Sequence, residues 1–179
     1  SNSPTITTTD AQKTYGDTVD LSSNYTLSGA YQTSAATYGN VYLAVSAADL
    51  FSSLTVSSTG ADANAVVGTY DIAATAVANS GYGFTYASTG NGTLTVNRRL
   101  VTITGTLTGT VTKGYDGSDA ATLTSANYLL SNFASGEGAT VTKTTGTYNT
   151  ADAGSGKLVT VSLVSSDYTA DAGTDLRNY

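Results

Sequence analysis

Gly92-Thr93-Leu94-Thr95-Val96-Asn97-Arg98-Arg99-Leu100-Val101-Thr102-Ile103-Thr104 decides the fold class. Thr93–Asn97 alternates apolar and polar residues with period two, and Val101–Thr104 does so again. Such alternation puts one face of a β-strand on a core and the other in water. Thr on the wet face is β-branched and still satisfied by solvent. Two strand patterns therefore follow one another with three residues, Arg98-Arg99-Leu100, between them. No Pro- or Gly-rich tether intervenes, so the join reads as stiff. Arg98 and Arg99 there read either as partners for Asp residues across the joint or as two exposed charges, and exposed pairs contribute only about 0–1 kcal/mol.

Outward from this point the same signals recur. Leu158–Leu163 alternates over most of its length, and Gly68-Thr69-Tyr70-Asp71-Ile72-Ala73-Ala74 reads as a strand entered from a glycine turn. Thr89-Gly90-Asn91-Gly92 lies between two strand patterns and reads as a hairpin loop, because Asn and Gly tolerate positive φ. Helix signals are few. Ser46-Ala47-Ala48-Asp49 has capping-box spacing ahead of Leu50, Phe51 and Leu54, and Ser125–Phe133 is similar. Each supports about two turns docked on a sheet, or a loop with apolar anchors.

Composition narrows the chemistry. The 179 residues include 34 Thr, 21 Ser and 19 Gly, and no His, Cys, Met or Trp. Charged residues are 11%, against about a quarter in ordinary domains. Without His or Cys there is no ordinary Zn or Cu site, iron–sulfur cluster, thiol nucleophile or Ser-His-Asp triad. A net charge of −6 argues against a nucleic-acid partner, which requires a basic face. No apolar run approaches the roughly 18 residues of a membrane span. With no leader pattern and no initiator Met, the chain is expected to be a piece of something longer, and Ser1-Asn2 a cloning remnant.

The chain also repeats itself. Lys13-Thr14-Tyr15-Gly16-Asp17 returns as Lys113-Gly114-Tyr115-Asp116-Gly117, Ser46-Ala47 as Ser125-Ala126, and Gly68-Thr69-Tyr70 as Gly146-Thr147-Tyr148, in the same order. Fixed-order self-similarity marks tandem units. One is expected over residues 3–97, with an insertion at about 25–43, and the second over 98–179. The second shows no final alternating strand. It is either truncated or closed by a different, shorter route; truncation would leave a sheet edge open. The expected fold is mainly β: two tandem small β-rich domains, β-grasp-like or Ig-like, each with at most one short helix, elongated. A helix over Ser46–Leu54 favours the grasp form.

These motifs resemble known repeat families. Lys13–Asp17, Gly68–Tyr70 and Gly92–Val96 look like the MBG domain of YGX type. Lys113–Gly117, Ala120–Leu123, Gly146–Tyr148 and Gly154–Val161 are similar to the YDG domain. The resemblance implies a bacterial cell-surface or secreted adhesin, with these units as non-enzymatic stalk modules that space a distal binding region for attachment or biofilm formation. Its partners would be neighbouring repeat domains and, through other parts of the parent protein, a host or surface receptor. The segment itself is expected to be monomeric and not inserted in a membrane.

Candidate sites are sparse. The only Glu, Glu137, sits in a Gly-flanked turn, whereas glycoside hydrolysis usually needs two facing carboxylates, so the chain is not expected to be an enzyme. Lys13 and Lys113 read as strand-end lysines over an aromatic ring rather than as bases. Tyr25, Tyr31, Tyr38 and Tyr42 fall in the insertion and are the candidate ligand-binding residues, for a receptor or glycan; the plainer reading is a small core extension. Asp116, Asp119, Asp167 and Asp171 are weak calcium candidates, because hard oxygen donors suit Ca²⁺ but the full loop pattern is missing; Asp at turns more often caps backbone N–H groups. No other cofactor is expected.

Overall fold

A single threonine organises the first unit. In the computed structural model, which describes residues 4–29, 31–35, 39–43, 46–79, 86–88, 92–103 and 107–179 (backbone alone for 31–35 and 39–43), the N-terminal segment forms two strands in different sheets. β1 (Thr5–Thr8) pairs antiparallel with β3 (Tyr25–Ser28), and β2 (Ala11–Thr14) belongs to a second sheet. At the switch the Thr8 hydroxyl, 5% exposed, donates to the Ile72 carbonyl at 2.7 Å and accepts the Gly92 N–H at 2.6 Å. The Asp10 carboxylate then accepts the Thr93 N–H at 2.8 Å. The backbone groups that the sheet switch takes out of the ladder are thus paired by side chains, as buried backbone groups require. Gly92 is obligatory there, because a Cβ would lie 2.5 Å from the Thr9 carbonyl carbon and oxygen.

The rest of the unit comprises β4 (Tyr31–Ala35), β5 (Gly39–Leu43), α1 (Ala47–Leu50), β6 (Phe51–Ser57), β7 (Gly68–Ala78), β8 (Ala87–Ser88) and β9 (Gly92–Asn97). One sheet has the order β3-β1-β8 and the other β2-β9-β7-β6. The β1–β8 and β2–β9 pairings are parallel and the rest antiparallel. Residues 89–91 of the expected hairpin loop at Thr89–Gly92 lie outside the described ones. β8 and β9, on either side of it, belong to different sheets, because the Thr8 switch sends their partners β1 and β2 apart. Ile6 from the first sheet packs with Leu50, Phe51 and Ala76, and Leu21, Ile72 and Leu94 form a second cluster. The two sheets thus face each other over a shared core. Fully burying each such aliphatic or aromatic side chain is worth about 1.5–3 kcal/mol.

The capping box at Ser46 forms as expected. The Asp49 carboxylate accepts the Ser46 N–H and the Ser46 hydroxyl accepts the Asp49 N–H. The helix is one turn rather than two, because Phe51 turns extended to pair with Ala78. Leu50 and Phe51 then both point into the core, at 1% and 4% exposure, so the short helix serves as an entry to β6. Within the expected insertion, β3 is integral to the first sheet, and only β4 and β5 pair with each other alone.

The chain divides into two compact units, Ser1–Arg98 and Arg99–Arg177 with Tyr179. The second contains β10 (Thr102–Ile103), β11 (Ala120–Thr122), β12 (Leu130–Ser131), β13 (Ala139–Val141), β14 (Thr145–Tyr148), β15 (Val159–Thr160) and β16 (Tyr168–Ala170). They form small sheets, β11-β14-β15, β10-β12 and β13-β16, around Ala121, Leu123, Ala134, Val141 and Tyr148. Leu158–Leu163 yields only the two paired residues of β15, because Val159, Val161 and Leu163 are half-buried and the ladder has one neighbour. The segment after β15 returns as β16 against β13. Two 3-10 turns, Ser125–Asn127 and Ser165–Asp167, are built alike. Asn127 Oδ1 accepts the Thr124 N–H and Asp167 Oδ2 the Val164 N–H, each at 2.8 Å, and a Tyr follows each turn.

Candidate functional site

The repeated Lys-x-Tyr motif forms a lysine-stapled turn in both units, by different chemistry. Lys13 lies one residue before the end of β2 and is 7% exposed. Its ammonium donates to the carbonyls of Asp17 and Asp62, so it ties the turn after β2 to the loop before β7. Burial pushes the Lys13 pKa below the ordinary lysine value, partly countered by the Asp62 and Asp17 charges. In the second unit Lys113 donates to Asp116 Oδ1 at 2.7 Å, Ser118 O at 2.6 Å and Ser118 Oγ at 2.9 Å. Asp116 also accepts the Ser118 N–H at 2.9 Å. The Lys113 hydrogen bond, then the Ser118 N–H, hold the Asp116 carboxyl at about 2, below its ordinary range. Lys113 Nζ lies 5.9 Å from the Tyr148 ring centroid, so the aromatic partner expected of it is Tyr148, not the adjacent Tyr115.

The tyrosines differ more than the lysines. Tyr15 is 6% exposed, and Tyr115, at the matching place in the second turn, is 74% exposed. Tyr115 and Lys113 line an open cleft of about 490 Å³ in the second unit, together with Ser118, Thr150, Asp152 and Lys157. Lys157 Nζ donates to the carbonyl and the hydroxyl of Thr150, both at 2.7 Å. The loop that carries this lysine turns at Gly156, where φ is +68°, a conformation that glycine adopts without strain. Sequence reasoning missed this cleft. Its signal was the Lys-x-Tyr-Asp-Gly turn itself, read there only as a repeat marker.

The expected site residues are placed as follows. Tyr25 in β3 is half-buried against the Ile6–Phe51–Ala76 cluster. Tyr31 stands opposite Leu43 and Tyr42 opposite Gln32 in the β4–β5 ladder, so they are not a cross-strand pair. Tyr38 lies outside the described residues. Asp116 is taken by Lys113, and Asp167 lies 3.8 Å from Lys143 Nζ while capping Val164. The Asp119 carbonyl accepts the Tyr148 N–H at 2.7 Å, and the Asp171 carboxylate accepts the Thr140 hydroxyl at 3.4 Å. Among the described residues no three acidic side chains gather as a metal site would need. Glu137 accepts the Tyr179 hydroxyl at 2.8 Å. Burial, then Glu137 against the donation from Ala134, leaves that phenol above its ordinary pKa. Arg99 Nε donates to the Asn132 carbonyl at 2.9 Å.

These features define a β-rich protein of two small units, each with a lysine-stapled turn. Residues 97–179 match the family model of the YDG domain, and the second unit is a YDG domain. No curated protein and no solved structure matches the chain.

Proposed function

We propose that the chain is a non-enzymatic spacer segment of a bacterial surface or secreted adhesin, in which an MBG-like unit and a YDG domain hold a distal binding region away from the cell for attachment or biofilm formation. The observation that carries this reading is two units, each with its own buried core, in one short chain, the second a YDG domain. The use of buried polar groups supports it. Thr8, Lys13 and Asn127 are each bonded to backbone groups, which stiffens turns and strand ends. The composition of the join supports it too, since residues 98–101 include no Pro- or Gly-rich tether. Small-angle scattering of the chain tests the proposal. An elongated monomer is expected, and a profile fitted by a compact globule would refute it.

A further inference from the structure

The open cleft of the YDG domain combines three groups that its own structure leaves available. Tyr115 presents a ring that is 74% exposed, and an exposed phenol ring is a surface on which an apolar ligand face can rest. Lys113 already holds Asp116, but the described contacts of Lys157 Nζ are to two neutral acceptors on Thr150. An ammonium carries three donors, so one N–H and an uncompensated positive charge remain for a ligand. Asp152 lines the same cleft and supplies acceptors for hydroxyl groups. A volume of about 490 Å³ is within the range of about 300–1,000 Å³ that small-ligand sites occupy.

We infer that this cleft binds an acidic oligosaccharide, with one sugar ring on the face of Tyr115, a carboxylate at Lys157 and sugar hydroxyls at Asp152. A bare anion would leave Tyr115 unused and would offer Asp152 no hydroxyl to accept from. A neutral sugar would leave the charge of Lys157 unmatched. The comparison with the first unit agrees: there the matching Tyr15 is 6% exposed and offers no ring to a ligand, so the ligand role belongs to the second unit.

The test is a nuclear magnetic resonance titration of the full 179-residue chain with trigalacturonic acid, with maltotriose as a neutral probe and triglutamate as a non-saccharide anion. Saturable shifts at Tyr115, Asp152 and Lys157 are expected with trigalacturonic acid, with a dissociation constant of roughly 1 mM or below. Maltotriose should bind at least about tenfold more weakly. Tyr115→Ala should lower the affinity for trigalacturonic acid at least about tenfold without moving the melting temperature, because the ring is exposed. Lys157→Gln should remove the preference for the acidic sugar. If that variant does not fold, Tyr115→Ala decides. Absence of saturable shifts, unchanged binding by Tyr115→Ala, or triglutamate binding as tightly as trigalacturonic acid would each overturn the inference.

Discussion

Replacing Thr8 by Val tests how the first unit changes sheets. The two residues have nearly the same shape, so the volume filled at this buried position is preserved. What is lost is the hydroxyl that accepts the Gly92 N–H and donates to the Ile72 carbonyl. Each buried backbone group left unpaired costs about 1–3 kcal/mol, and the added methyl returns at most about 0.8 kcal/mol. The net loss is then about 1–5 kcal/mol. For a unit of this size that lowers the melting temperature by roughly 5–40 °C. Thr8→Ser keeps both hydrogen bonds, loses one methyl and should cost about 1 kcal/mol. Calorimetry gives the stability difference, and hydrogen exchange at Gly92 locates it: protection of that amide should fall in Thr8→Val and persist in Thr8→Ser. A Thr8→Val protein within about 0.5 kcal/mol of the parent, with Gly92 still protected, would refute the bridging role.

Gly92→Ala should be more damaging than a helix or surface glycine replacement. Its Cβ meets the Thr9 backbone at 2.5 Å, and chemical denaturation should show a loss of about 3 kcal/mol or more. Asn127→Ala removes the amide that donates to the Thr108 carbonyl and accepts the Thr124 N–H. A loss of about 2–4 kcal/mol is expected by denaturant titration. On the acid side, the folded carboxyl of Asp116 titrates at about 2, below its unfolded value. Its contribution is therefore complete above about pH 4 and fades as pH falls toward 2. Asp116→Asn should flatten the fall of melting temperature across that window, and an unchanged slope would contradict the Lys113 staple.

Much of the first unit was legible because its pattern is set by burial. The alternation over Thr93–Asn97 became β9, with Leu94 and Val96 at 0% and 1% exposure, and the stretch from Gly68 became β7 with Ile72 buried. Ser46–Asp49 was legible because a capping box is local chemistry. The parallel pairings and the division of β8 and β9 between two sheets were not, because the hydroxyl that takes ladder bonds at Thr8 leaves no period in the sequence. The second unit defeated the pattern differently. Leu158–Leu163 alternates, yet few residues pair, so alternation there reports half-burial rather than a long ladder. The same limit hid the cleft. Tyr15 and Tyr115 occupy matching positions in the sequence, and only packing makes one a core residue and the other a surface ring.

The spacer proposal turns on whether the two units move as one body. Backbone amide relaxation of the full chain measures this directly. A single rotational diffusion tensor, with a long axis shared by both units, is the predicted result. Two independent correlation times, with the segment Arg98–Val101 relaxing as a flexible tether, would contradict the account.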